Sequence, residues 1–219
     1  MIRNIELSEI SDGSLYTSTD MAKADCRGCE GCFACCRGMG RSIVLDPWDI
    51  AQMTEGTGRT FAELMEGAIE LNVVDGMILP NLRMDEKTEK CTFLDQEGRC
   101  SIHRFRPGIC RMFPLGRYYE NGGFSYFLQT GECAKENRSK IKVSKWIDTP
   151  DLTRNQQFTL QWHDLLHAME ERLTGEDEGK QQEENLLLLR LFYLLPYKGT
   201  TDFYSQFMER MEYWNEQIR

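Results

Sequence analysis

Five cysteines stand within eleven residues, in the order Cys26-Arg-Gly-Cys29-Glu-Gly-Cys32-Phe-Ala-Cys35-Cys36. Four more follow at Cys91, Cys100, Cys110 and Cys133, and none lies beyond Cys133. Thiolates two residues apart on a glycine-containing loop can converge on one metal or cluster, because the backbone between them can curl. The chemistry these residues suit is ligation of a soft metal, with an iron–sulfur cluster as the first expectation and zinc as the alternative. Nine is an odd count, so a fully paired disulfide framework cannot exist within one chain.

The spacing narrows the choice. Zinc sites that join two CxxC knuckles need a second knuckle downstream, and here the downstream gaps are eight, nine and twenty-two residues. The ladder is closer to the C-x2-C-x2-C run of bacterial ferredoxins, although it lacks the x3-C-P continuation and the second copy. Cys32-x3-Cys36 begins a radical-SAM spacing whose third position is Met39. Neighbouring side chains diverge by about 100° in a helix and about 180° in a strand. Cys35 and Cys36 therefore either face different metal atoms or divide into one ligand and one core residue. His103 follows Cys100 closely enough to ligate, or ends a hairpin. Arg106 and Arg111 flank Cys110 and can neutralise thiolates or hold an anionic substrate, unless they form surface ion pairs.

These residues need elements to hold them. Asp46-Pro47 reads as a cap and first turn of a helix to about Glu55, stopped by Gly56 and Gly58, and Thr60 caps a second helix. Ile69–Val74, Asp75-Gly76 and Met77–Met84 read as a hairpin. A smaller one, Cys91–Leu94 with Arg99–Ile102, would bring Cys91 beside Cys100. Tyr118–Leu128 turns at Asn121-Gly122-Gly123. Residues 1–25 suggest a short strand, then a turn of helix after Ser18-Thr19-Asp20. From about Asp151 the apolar spacing becomes helical: Phe158 to Leu173, then Glu183 to Leu195, then Phe203 to Trp214. The expected class is α+β, with a cysteine-cluster domain over 1–150 and a helical region over 151–219 packed on it. Within that region His163 and His167 share a helical face without a zincin pattern, which points to a structural role. Its helices are expected to cover the metal region.

A net charge of −9 argues against nucleic-acid binding. No stretch is apolar and long enough to span a bilayer, and the N-terminus has no signal-peptide core, so a cytoplasmic, non-membrane protein is expected. Reducing conditions there favour metal ligation over disulfides.

Cys29-x2-Cys32-x2-Cys35-Cys36 resembles the CxxCxxCC signature of the YkgJ-like cysteine-cluster family, also described as a zinc- or iron-chelating domain. Downstream, Cys91-Thr-Phe-Leu, Gly98-Arg-Cys100-Ser-Ile-His103 and Arg106-Pro107-Gly-Ile-Cys110-Arg111-Met-Phe-Pro114 are similar to the rest of that signature. The resemblance covers roughly residues 25–135. It implies a metal centre, of [4Fe–4S] type or zinc, with Cys29, Cys32, Cys35, Cys36, Cys91, Cys100, Cys110 and Cys133 as ligands. Cys26 lies outside the signature and is expected to be dispensable, whereas Cys110 is not. Flagellin lysine N-methylases carry a similar cysteine cluster, and that likeness covers the cluster only. The functions implied are redox or cluster-dependent enzymatic work, including protein methyl transfer, on a protein partner or substrate that the sequence does not identify. The alternative is a zinc-stabilised adaptor whose helices dock a partner.

Overall fold

Residues 7–27, 32–135 and 137–218 are described by a computed structural model, and Cys29 lies outside them. A turn of helix, α1 (Leu7–Ile10), leads into β1 (Ser11–Tyr16) and β2 (Met21–Asp25). The expected helical turn after Asp20 is instead a strand. The Asp20 carboxylate accepts from both the Thr17 backbone N–H and the Thr17 hydroxyl, each at 2.7 Å, so it closes a reversal rather than capping a helix.

Beyond the cysteine ladder, α2 (Pro47–Thr57) starts on a reciprocal cap. Asp46 Oδ1 accepts from the Asp49 N–H at 2.8 Å, and Asp49 Oδ2 accepts from the Asp46 N–H at 3.2 Å. The helix runs through Gly56 and ends at Gly58, whose φ of 67° is left-handed. Thr60 and Glu63 cap α3 (Phe61–Met65) in the same reciprocal way. Then β3 (Ile69–Val74) and β4 (Met77–Leu82) pair antiparallel around Asp75-Gly76, both with positive φ. Pro80 is accommodated because its carbonyl, not an N–H, is what the flanking chain uses: the Leu45 N–H donates to it at 2.8 Å. The run Ser42–Leu45 thus lies beside β4 through a single bridge, Val44 to Asn81.

The helix α4 (Gly108–Met112) precedes β5 (Leu115–Glu120) and β6 (Gly123–Gln129), which turn at Asn121-Gly122. β6 is the centre of a three-stranded sheet in the order β1-β6-β5. β7 (Ser139–Lys142) pairs with β2 and runs directly into α5 (Val143–Ile147), a short helix with no signal in the sequence reading.

The C-terminal third is α6 (Leu152–Leu173), α7 (Glu178–Leu189), a π-helical turn at Arg190–Leu194, and α8 (Phe203–Gln217). α7 starts earlier than the apolar spacing predicts, because Asp177 accepts from the Gly179 and Lys180 N–H groups. Phe158, Trp162, Met169, Leu188, Phe192 and Trp214 share one buried core with Ile43, Trp48, Met53, Leu64, Leu79 and Cys91. Polar contacts tie the same faces together. Asn185 accepts from the Ile78 N–H at 2.6 Å and donates to the Gly76 carbonyl at 3.1 Å, and the Tyr193 hydroxyl donates to the Leu45 carbonyl at 3.0 Å. A second core, around Ala22, Met112, Leu115, Tyr126, Leu128 and Val143, lies under the sheets. The class is α+β, with short antiparallel sheets and a helical C-terminal region. Among the described residues no helix is long and apolar enough to cross a membrane.

Candidate metal centre

The ladder ends in one 3-10 turn, Ala34–Cys36, and is stitched to the segment that carries Cys91. The Cys91 N–H donates to the Cys36 carbonyl at 2.8 Å, the Gly38 N–H donates to Glu89 at 2.9 Å, and Arg37 bridges Lys90. The next turn is made by Asp95, whose side chain accepts from the Glu97 and Arg99 N–H groups at 3.0 and 2.7 Å. It closes a bridge between Leu94 and Cys100, so the small hairpin does bring Cys100 back beside Cys91. Cys110 arrives on α4. The N-terminus of that helix is fixed by Asp49 of α2, whose Oδ1 accepts from the Gly108 N–H at 2.7 Å.

Glycine is required at Gly98. Its φ is +74°, and a Cβ there would lie 2.7 Å from the ring of Phe33, inside the ladder. The hairpin turn and the ladder therefore touch through a position with no side chain. Gly98→Ala is expected to cost about 1–2 kcal/mol from the left-handed backbone alone, and to displace the Phe33 loop. Urea unfolding of the metal-free variant checks the first expectation, and metal retained after dialysis against a chelator checks the second. Unchanged values on both counts would show that this contact positions nothing.

These connections place six cysteines, Cys32, Cys35, Cys36, Cys91, Cys100 and Cys110, around one cavity of about 140 Å³. A second, adjoining cavity of about 20 Å³ is lined by Cys26, Cys32, Cys35 and Cys133. All eight described cysteines thus lie on two neighbouring spaces. Among the described residues no three His, Cys, Asp or Glu side chains are grouped so as to hold a metal ion; the cysteines are spread around the two cavities instead. Both Cys35 and Cys36 line the larger cavity and their thiols are close enough to interact, because the 3-10 turn does not splay them as a strand would.

The electrostatics of the larger cavity oppose bare thiolates. The Cys36 thiol beside Cys35 pushes the Cys35 thiol far up, and burial adds to this. Burial raises Cys91, with the charges of Cys100 and Cys35 adding. Burial also raises Cys100, although Arg106 pulls it part of the way back. Cys110 is pushed well up, first by burial and then by Asp49, Cys91, Cys35 and Cys100. These thiols are protonated at neutral pH until a cation compensates them, so metal loading releases protons. His103 also lines the cavity. Burial, then Arg106, Arg99 and Arg111, holds its imidazole below the usual range and therefore neutral.

Arg111 is not a surface ion-pairing residue. It is 5% exposed and donates to three backbone carbonyls, those of Arg106 and Asp148 at 3.1 Å each and that of Arg104. Arg106 donates to the His103 carbonyl at 2.9 Å. Phe93, Phe113 and Trp146 complete the apolar wall. No lining residue of either cavity comes from the C-terminal third. Those helices therefore back the cysteine region rather than wall its cavities: they share one buried core with β3, β4, α2, α3 and Cys91, and Cys36, Cys100 and Cys110 pack against that core. His163 stacks on Tyr119 of β5, with ring centroids 3.8 Å apart, and neither His163 nor His167 reaches the cavities.

Nothing in the sequence showed that Phe113 and Trp146 line the larger cavity, nor that Asp49 and Phe33 brace the segments that carry its cysteines. Asp49 carried a local signal, as the third residue of a capped helix. Its second role, toward Gly108, carried none.

The model of the CxxCxxCC family, described as a zinc- or iron-chelating domain, matches residues 28–141, slightly more than half of the chain. No curated protein and no solved structure matches.

Proposed function

The chain belongs to the CxxCxxCC family, and we propose that its larger cavity holds an iron–sulfur cluster of the [4Fe–4S] kind. The observation that carries this reading is a cavity of about 140 Å³ lined by six cysteines. A single water-sized guest needs roughly 10–15 Å³ of such space, so the room favours a polynuclear group over one ion. The donor set fits as well: soft thiols, a neutral imidazole and an aromatic wall that limits water. Cys36, Cys91, Cys100 and Cys110 line this cavity and not the smaller one, which makes them the first candidates for its four ligands. The cluster would supply one-electron transfer. The chain's own residues hold it, exclude water and offset its thiolate charge through Arg111 and Arg106. Under this reading residues 1–150 are the metal-holding part and 151–219 a helical support, in a reducing compartment such as the cytoplasm.

Protein prepared without oxygen is expected to be brown and to contain iron and acid-labile sulfide. Stoichiometric zinc with no sulfide, under strict exclusion of oxygen, would overturn the reading.

One observation favours a second reading, a zinc-stabilised adaptor. Leu186, Leu194 and Leu195 are half or more exposed on α7 and the π-helical turn, beside a groove shared with α8. A partner protein docked there would need the metal only for structure, and a colourless zinc protein would be the result.

A further inference from the structure

We infer that the groove between the π-helical turn and α8 is the seat of an acidic amphipathic helix from a partner protein. The inference rests on the docking reading given above, and it is independent of which metal fills the cysteine cavity. On one side the groove is lined by Gln206, Glu209, Arg210 and Tyr213 of α8. The facing wall is Leu187, Arg190, Leu191 and Leu194, continued by Leu195. Each set of four is spaced i, i+3, i+4 and i+7, the stripe that one helix shows to another. Facing stripes ordinarily close on each other. Here a groove of about 730 Å³ stays open between them, and Leu194, Leu195 and Tyr213 are 56, 50 and 48% exposed on its walls.

Hydrogen bonds hold the groove open. The buried Arg210 donates to the carbonyls of Leu191, Leu195 and Pro196 at 2.8, 2.9 and 3.0 Å. The buried Gln206 donates to the carbonyls of Lys198 and Thr201 at 3.0 and 2.9 Å, and accepts from the Lys198 N–H at 2.8 Å. The connection from the π-helical turn to α8 is thus pinned by polar groups of the groove itself, not by leucines meeting across it. A preformed wall of this kind loses little freedom on binding. An exposed apolar strip with a polar rim marks an interaction surface. The occupant must satisfy its own backbone, because both walls are helical and offer no sheet edge to pair with. A helix does this, and its apolar i, i+3, i+4, i+7 anchors match the stripes of the walls.

Charge selects among helices. The lining holds three cations, Arg190, Lys198 and Arg210, against one carboxylate, Glu209, in a chain whose net charge is −9. Arg190 and Lys198 are exposed, so their charges are open to a ligand. A helix with glutamates or aspartates beside its apolar face sets them against these two cations. A second copy of this chain is the poorer occupant. Two such grooves meeting across a two-fold axis bring like charges together, and both copies carry the same negative net charge.

The test uses three labelled model peptides of about 15 residues, the length at which an isolated helix begins to form. One has leucines at i, i+3, i+4 and i+7 flanked by glutamates. The second replaces the glutamates by lysines. The third keeps the acidic composition and scrambles the leucines. Fluorescence anisotropy follows their binding to the full-length, metal-loaded chain, with metal content and circular dichroism measured on every variant to show an intact fold. The acidic amphipathic peptide is expected to bind at least about tenfold more tightly than either of the others, a difference of about 1.4 kcal/mol. Leu194→Glu should weaken it by about tenfold or more, and the double variant Arg190→Glu with Lys198→Glu should remove or reverse the preference for the acidic peptide. Equal binding of the acidic and basic peptides would overturn this inference and leave docking by apolar contact alone. No binding by any peptide to the intact protein would overturn the docking reading with it. Sedimentation of the chain without peptide supplies the remaining arm: a dimer that Leu194→Glu dissociates would show that a second copy covers the groove, and the inference would fall.

Discussion

Serine in place of Cys110 is expected to empty the larger cavity, with iron and sulfide per chain falling to near zero. The Cys110 side chain lines that cavity, and its thiol feels Asp49, Cys91, Cys35 and Cys100. Burial has already made the thiolate unfavourable there, so the metal's charge is what permits it. A serine hydroxyl does not ionise in such surroundings and cannot replace the sulfur. Loss of groups that merely orient a ligand weakens metal sites by about 10–100-fold, and a direct ligand is expected to exceed that. The metal-free fold should lose about 1–3 kcal/mol, because the exchange keeps the shape but puts a hydroxyl where a weakly polar thiol was buried. Urea unfolding of the two metal-free proteins separates the effects. If Cys110→Ser kept iron and sulfide at the level of the unsubstituted chain, the larger cavity would not be the cluster site.

The features legible in the sequence are those written in a few neighbouring residues. Asp75-Gly76 and Asn121-Gly122 specify their turns, and Asp46-Pro47 and Thr60 start their helices. The helical spacing from Phe158 to Leu173 is the buried face of α6. Other features depend on partners far along the chain. Met21–Asp25 is a strand because Ser139–Lys142 pairs with it, 114 residues away at the Asp25–Ser139 contact, and nothing near Asp20 announces that. Asp49 holds Gly108 from 59 residues away. The ladder read alone could not say that Cys26 shares a cavity with Cys133, on a loop whose base the β2–β7 pairing closes. The C-terminal helices were recognisable as helices, yet the face they cover was not. That face depends on which apolar surface of the hairpin and α2–α3 is left open, a property of the assembled fold.

Arg111→Met is the second large effect, and it separates holding the fold from holding the metal. Removing the buried guanidinium takes the donor from the part-buried carbonyls of Arg104, Arg106 and Asp148. A buried acceptor left unsatisfied costs about 1–3 kcal/mol, so a loss of about 2–4 kcal/mol in the metal-free chain is expected even with partial relaxation. Arg210 provides an internal comparison. It is also buried, and it donates to three carbonyls, those of Leu191, Leu195 and Pro196, at 2.8, 2.9 and 3.0 Å. It lines the groove on α8 and not the cysteine cavity. Arg210→Met should therefore lower urea stability by a similar amount and leave the rate of metal loss to a chelator unchanged. Arg111→Met should in addition speed that loss by about 10-fold or more, since it removes a positive charge from the cavity wall and frees the segment from Arg104 to Cys110. Arg111→Lys should fall between, keeping the charge but not the planar fork that spans several carbonyls. Equal rates of metal loss from Arg111→Met and Arg210→Met, at matched stability, would reduce Arg111 to a packing residue and leave the thiolates to be compensated by the metal alone.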